Sequence, residues 1–186
     1  MNYSIFIRPL ALGDGQTSYK WRNDELIWEF TEFKPNKPVT VALETEWIKK
    51  ALAIKNDHRF AICIKETGQY IGNVQLVNVK DKSADFHLFI GDSSFWGKGI
   101  GQEATRLVLY YAFNLLNLYD VMLKVHRKHI AAKKLYEKMG FQVINDKGVF
   151  IQMILTKKYY KALVKTRGID IANAHEAVLL DNYNEL

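Results

Sequence analysis

Residues 84–116 read ADFHLFIGDSSFWGKGIGQEATRLVLYYAFNLL and carry three signals in succession. The first eight residues alternate as a strand does, with Asp85 and His87 on one face and Phe86, Leu88 and Ile90 on the other. Residues 102–116 repeat apolar side chains at helical spacing. Between them, Gly97, Gly99 and Gly101 alternate in a loop that also holds Lys98. A helix start leaves backbone N–H groups unpaired at the positive end of the helix dipole, and glycine lets an anion come close. Strand, glycine-rich loop and long helix together predict a phosphate cradle.

The flanking segments extend this unit. Upstream, residues 3–8 read as a strand, and 14–23 as a helix ending in WRND. Residues 31–39 hold two of the three prolines and read as a loop, and Thr40 caps a helix running to about Leu52. Residues 59–66 and 70–79 form a hairpin around Thr67-Gly68-Gln69, and with 84–91 they make three antiparallel strands. Downstream come a strand at 120–126 and a helix at 129–140 closed by Gly140. Two closing strands follow, the last at 149–155, and then a partly helical tail from Tyr159. This order predicts an α/β fold of the α+β type: a mixed, mostly antiparallel central sheet of about seven strands, flanked by helices and parallel near the loop. We expect one domain over residues 1–157 and a C-terminal extension over 158–186, of which residues 168–186 fold back, dimerise or stay loose.

Composition narrows the function. With 48% apolar and 25% charged residues among 186, the chain is globular. Its lone cysteine, Cys63, excludes a disulfide framework and a Cys-based zinc site, and inside an apolar strand it reads as an inert core residue. His, Asp and Glu show no metal-ligand spacing. No apolar run approaches about 18 residues, and the N-terminus lacks a basic start, so the expectation is a cytoplasmic protein without a membrane span. The formal net charge is +6. Lys124, Arg127, Lys128, Lys133, Lys134 and Lys138 cluster within it, as a solvated helix face or as attraction for an anionic small ligand. An aromatic-basic RNA motif is missing, so no nucleic-acid partner is expected.

Two phosphate fingerprints can be tested on the loop. The Walker pattern fails because Gly99 follows Lys98. Gly99, Gly101 and Ala104 formally satisfy the Rossmann pattern, with Asp120 about 20 residues on. The context is wrong, because the strand ends near Gly91 and Asp120 begins a strand where the ribose-binding acid should end one. A nicotinamide-dependent oxidoreductase remains a minor alternative.

Trp96-Gly97-Lys98-Gly99-Ile100-Gly101 resembles the Gln/Arg-x-x-Gly-x-Gly/Ala loop of the GNAT superfamily of N-acetyltransferases, with Trp96 where Gln or Arg is usual. Residues 129–141, HIAAKKLYEKMGF, are similar to that family's second motif, with His129 in place of Asn. The Trp-Gly-Lys-Gly form resembles the branch of ribosomal-protein-alanine and spermidine acetyltransferases. The likeness spans roughly residues 3–156 and leaves the tail outside.

The resemblance implies a V-shaped split between the strand ending at Gly91 and the strand 120–126, with acetyl-CoA lying in it as co-substrate. The pantetheine would pair with the backbone of Phe89, Ile90 and Gly91. The pyrophosphate would sit on the loop and helix start: Trp96, Gly97, Lys98, Gly99, Ile100, Gly101 and Gln102, with His129 nearby. The amine would attack the thioester directly in a ternary complex. Tyr136 stands at the family's general acid for the leaving thiolate. For the general base, Lys124 occupies a position where some members carry Glu, so Asp85 and His87 become the candidates.

The acceptor pocket would draw on Trp21, Arg22, Asn23, Trp28, Phe30, Glu32 and Phe33, with Asn73 and Gln75 on the adjoining strand. Expected acceptors are small-molecule amines, namely an amino sugar (free or nucleotide-linked), a polyamine or an aminoglycoside, and the basic surface favours an anionic one. A protein N-terminus is the next alternative. A catalytically silent acyl-CoA-binding scaffold is the other, since Trp96, Lys124 and His129 all depart from common family choices.

Overall fold

The computed structural model describes residues 4–31, 34–167 and 173–179. The strands are β1 (Ile5–Pro9), β2 (His58–Ile64), β3 (Tyr70–Lys80), β4 (Ser83–Ile90), β5 (Asp120–His126), β6 (Gln142–Asn145) and β7 (Phe150–Thr156). The helices are α1 (Gly15–Arg22), α2 (Val41–Leu52), α3 (Ile100–Tyr110), α4 (Ile130–Lys138), α5 (Lys157–Arg167) and the single turn α6 (Ala174–Ala177). The strands form one sheet in the order β1-β2-β3-β4-β5-β7-β6. Every neighbouring pair is antiparallel except β4 and β5, which the α3 crossover joins in parallel. The expected mixed, mostly antiparallel sheet of seven strands is what forms.

Alternation along the strands builds two cores. Val121, Leu123 and Val125 of β5 and Ala84 and Phe86 of β4 are buried on the face covered by α3 and α4, together with Leu107, Val108 and Tyr136. On the opposite face, Trp21 of α1 and Ile48 of α2 close over Ala61, Cys63 and Tyr70. Cys63 is fully buried there, and burial raises its thiol pKa, as an inert core residue requires. Thr40 caps α2 through its hydroxyl, which accepts from Leu43 N at 3.3 Å.

Two segments depart from the sequence expectation. The long helix expected over 102–116 is α-helical only to Tyr110, and Tyr111–Leu115 widens into a π turn, with Leu116 N donating to Tyr111 O at 2.9 Å. The Tyr111 hydroxyl there meets His58 Nδ1 at 2.8 Å. The apolar periodicity runs through both helix types, so it could not mark the change. In the extension, Tyr160 and Leu163 of α5 and Ala174, Ala177 and Val178 are buried, and Val178 pairs in parallel with Ile7. The segment around α6 therefore folds back onto β1 while α5 packs against β7, and residues 168–172 and 180–186 lie outside the described residues.

The feature that positions the site lies between β4 and β5. They pair only at Ser83↔Asp120, Ala84↔Val121 and Asp85↔Met122. Beyond these couples the strands continue to Ile90 and His126 without pairing. The sheet is therefore split into a V whose closed end is Asp85–Met122.

Candidate active site

The gap side of β4 follows from its hydrogen bonds. Gly91 N donates to Ile71 O at 2.9 Å, opposite it in the β3 register. By alternation Asp85, His87 and Phe89 also spend their backbone groups on β3, and Phe86, Leu88 and Ile90 turn theirs to the gap. The expected pantetheine edge at Phe89, Ile90 and Gly91 is thus corrected, because of the three only Ile90 faces the opening. Its carbonyl accepts from Trp96 Nε1 at 2.9 Å. This bond gives Trp96 a physical role, since the indole ties the glycine loop to the end of β4.

Gly97 and Gly99 have φ of +73° and +83°, a left-handed backbone that favours glycine. A Cβ built on either would meet nothing within 4 Å, so the space beside both is open. Gly99 is the N-cap of α3, and its carbonyl accepts from Gln102 N at 3.0 Å and Glu103 N at 3.1 Å. The N–H of Gln102 is therefore committed, which removes it from the expected cradle. Ile100 and Gly101 supply the first N–H groups of α3, and among the described residues neither has a backbone acceptor. A Cβ on Gly101 would lie 3.1 Å from Leu135 of α4 and 3.4 Å from Leu88, so this third glycine also allows close packing. Lys98 Nζ rests 5.3 Å from the centre of the Phe95 ring.

Tyr136 lies on the α3/α4 side of the closed end. Its ring packs edge-on against Phe86 at 5.8 Å, and Phe86 is the first β4 residue past the last paired couple. Phe141 flanks it at 5.8 Å. Burial pushes the phenol's pKa well above its ordinary value, so the hydroxyl stays protonated, and among the described residues it has no hydrogen-bond partner.

The two base candidates separate. Asp85 sits at the closed end and accepts from Asn78 Nδ2 at 2.9 Å. His87 lies two residues further along the same face, where the V has opened. Desolvation by the surrounding protein lowers its pKa, opposed by Asp85 and reinforced by Arg59 and Lys124. Paired residues of parallel strands share a face, so Asp85↔Met122 places His87 and Lys124 on the same side, flanking the opening from β4 and β5.

The residues expected to wall the acceptor pocket divide three ways. Trp21 and Asn23 are structural. Trp21 is buried against Tyr70 at 4.8 Å, and a Cβ on Gly91 would fall 2.0 Å from its ring. Asn23 gives its amide to Tyr19 O and Val39 O and accepts from Val39 N, stapling α1 to the segment before α2. Arg22, Asn73 and Gln75 are held by protein partners near the site. Arg22 pairs with the buried Glu44 at 3.2 Å under the Trp47 ring, Asn73 accepts from the Tyr70 hydroxyl at 2.7 Å, and Gln75 accepts from Arg59.

Trp28 and Phe30 reach the split itself. Trp28 lies 6.5 Å from Phe89 and donates to Arg22 O at 3.0 Å. Phe30 stacks on His129 at 4.5 Å and packs on His126 at 5.6 Å, so it bridges from the N-terminal segment to the β5–α4 turn. Burial lowers the pKa of His129, with Glu29 opposing. Glu32 and Phe33 lie outside the described residues. Sequence reasoning passed over Arg59, Trp47 and His126. Arg59 stands opposite Gln75 in the β2–β3 register, a signal that exists only once strands are paired.

The family model described as an acetyltransferase (GNAT) domain matches residues 4–142. An N-acetyltransferase named p20 from Bacillus licheniformis is 25% identical over 141 residues, 74% of this chain and 79% of its own length. The spermidine N(1)-acetyltransferase of Escherichia coli K12 is 26% identical over 143 residues, 76% of this chain and 74% of its own. Among solved structures, the spermidine N-acetyltransferase of Vibrio cholerae in complex with CoA and spermine superposes with a TM-score of 0.76 at 23% identity, over 86% of this chain and 99% of that one. Apo FdhC, a nucleotide-linked sugar GNAT, superposes with a TM-score of 0.74 at 19% identity, over 90% of this chain and 98% of that one.

Proposed function

The chain belongs to the GNAT acetyltransferase family, and we propose that it acetylates a primary amine on a small molecule by direct attack within the β4–β5 split. Its co-substrate is acetyl-CoA, which supplies an acetyl group activated as a thioester. The residues present fit that molecule. The open space beside Gly97 and Gly99, next to the Ile100 and Gly101 N–H groups, suits a pyrophosphate, and Ile90 offers its backbone N–H to an extended amide chain, its carbonyl being held by Trp96.

The observation that carries the proposal is the placement of His87 and Tyr136 on opposite faces just past the last β4–β5 couple. His87, lowered in pKa, is in its base form at neutral pH and takes the proton of the incoming ammonium. Tyr136, kept protonated by burial, gives its hydroxyl proton to the departing sulfur. Asp85 remains on Asn78 and supports His87 electrostatically. Trp28 and Phe30 border the space the acceptor enters.

The test is thermal unfolding with acetyl-CoA or NADH, followed by CoA release over an amine panel. The names of the relatives put spermidine and a nucleotide-linked amino sugar in that panel, beside a free amino sugar, an aminoglycoside and a peptide N-terminus. Acetyl-CoA at about 100 times its dissociation constant should add roughly 2.7 kcal/mol, a rise of several degrees. No rise with acetyl-CoA would refute the co-substrate site. A rise without turnover of any amine would leave a silent acyl-CoA-binding protein. Turnover of the peptide alone would move the acceptor to a protein N-terminus.

A further inference from the structure

We infer, resting on that reading, that the acceptor amine also carries an anionic group, a phosphate or a carboxylate, and that Lys124 of β5 binds it. Lys124 is exposed on the wall of the split, on the same side as His87. Among the described residues its ammonium has no ion pair, whereas the carboxylates that act on His87 are occupied, and Glu29 acts instead on His129 at the other side of the split. Asp57 pairs with Arg59 at 2.5 Å, and Asp85 accepts from the Asn78 amide.

The strand behind His87 adds donors without adding acceptors. Arg59, Gln75 and His87 stand in register across β2, β3 and β4 on this face. Arg59 occupies the Gln75 carbonyl oxygen, and among the described residues the Gln75 amide N–H groups have no acceptor. A wall that offers an uncompensated ammonium and spare N–H donors complements acceptor oxygens bearing negative charge. A polyamine, cationic along its length, would meet Lys124 as a like charge. The position therefore selects among amines, and it acts on binding more than on the chemical step.

The test measures kcat and KM for glucosamine, glucosamine 6-phosphate, a uronic-acid amino sugar and spermidine. It uses the wild type, Lys124→Met and Lys124→Glu, with the acetyl-CoA melting shift as a control. Lys124 is exposed, so both variants should fold. The expected result is a KM at least about ten-fold lower for an anionic amino sugar than for glucosamine. Lys124→Met should abolish that difference in KM and leave the acetyl-CoA shift unchanged, any change in kcat that comes through His87 falling equally on glucosamine and the anionic sugars, and Lys124→Glu should turn the preference toward spermidine. The phosphate and carboxylate arms tell which anion is read. A wild-type preference for spermidine, or an anionic KM untouched by Lys124→Met, would overturn the inference and leave the acetyltransferase standing. An acetyl-CoA shift with no amine acetylated by any variant would overturn the small-molecule reading, and this inference with it.

Discussion

Tyr136→Phe removes one oxygen and nothing else, and the structure predicts an unusually clean separation of effects. The ring keeps its edge contacts with Phe86 and Phe141, both at 5.8 Å. The hydroxyl has no partner among the described residues, so no intramolecular hydrogen bond, typically about 1 kcal/mol, is lost. For a chain of this size 1 kcal/mol is roughly 2–4 °C in midpoint, so the melting temperature should hold within about 3 °C. The acetyl-CoA shift should also hold, because the proposed phosphate cradle lies on α3 and the loop before it, away from Tyr136 on α4. Turnover should not hold. Loss of a positioned general acid costs about 10²–10⁴-fold, or roughly 3–5 kcal/mol of barrier. The assay is CoA release at saturating acetyl-CoA and acceptor, with midpoints measured on the same preparations. A kcat within about three-fold of wild type would remove Tyr136 from the mechanism. A lost kcat accompanied by a collapsed midpoint would make it a packing residue of the Phe86–Phe141 seam.

Other perturbations test other links. Gly99→Ala forces alanine to φ +83°, which costs about 1–2 kcal/mol, so the midpoint should fall by a few degrees and the acetyl-CoA shift should vanish; a full shift in this variant would refute the cradle. Gly91→Ala would drive a methyl to within 2.0 Å of the Trp21 ring, so overpacking of about 1–3 kcal/mol should show as lost thermal stability, and an unchanged midpoint would contradict the buried placement of Trp21. Burial lowers the pKa values of His58, His87 and His129, so the unfolded chain binds protons first as pH falls below about 6.5. Stability from this source is complete above that pH and drains away below it, and a midpoint that rises between pH 6.5 and 5 would reverse the sign. If His87 is the base, the acid limb of kcat/KM lies below pH 6.5, and a limb above it would place the base elsewhere.

Local chemistry carried most of the fold into the sequence. Alternation over residues 84–90, the Thr40 cap and the left-handed Gly140 at φ +95° each announce an element without help from distant residues. What stayed hidden depends on partners far along the chain. The π turn at Tyr111–Leu115 shares its apolar pattern with an α-helix, and His58, which its Tyr111 touches, lies 53 residues away. Asn23 carries the composition of a binding residue, yet its amide closes a loop, because Val39 comes back beside it. Trp21 likewise reads equally well as wall or core until Gly91 and Tyr70 are seen against it. The left-handed turn at Gly97 and Gly99 was legible because conformation is a backbone property, whereas a side chain's surroundings are set by whatever the fold places next to it.

The pairing of β4 with β5 shows how strongly such placement is fixed. Three couples, ending at Asp85↔Met122, determine that Lys124 shares a face with His87. A slip of β5 by one residue would exchange its two faces, turning Lys124 toward α3 and bringing Leu123 to the open side. Val121, Leu123 and Val125 forbid this, because each is at most 4% exposed in the main core, and the slip would bring them into solvent while burying an ammonium. The antiparallel register with β7 holds the same choice from the other side, with buried Leu123 opposite buried Met153 and Lys124 opposite Gln152. The charge on the wall of the split is therefore locked by the hydrophobic side of the same strand. Exchanging Lys124 for another side chain changes what the split attracts without loosening the register that presents it.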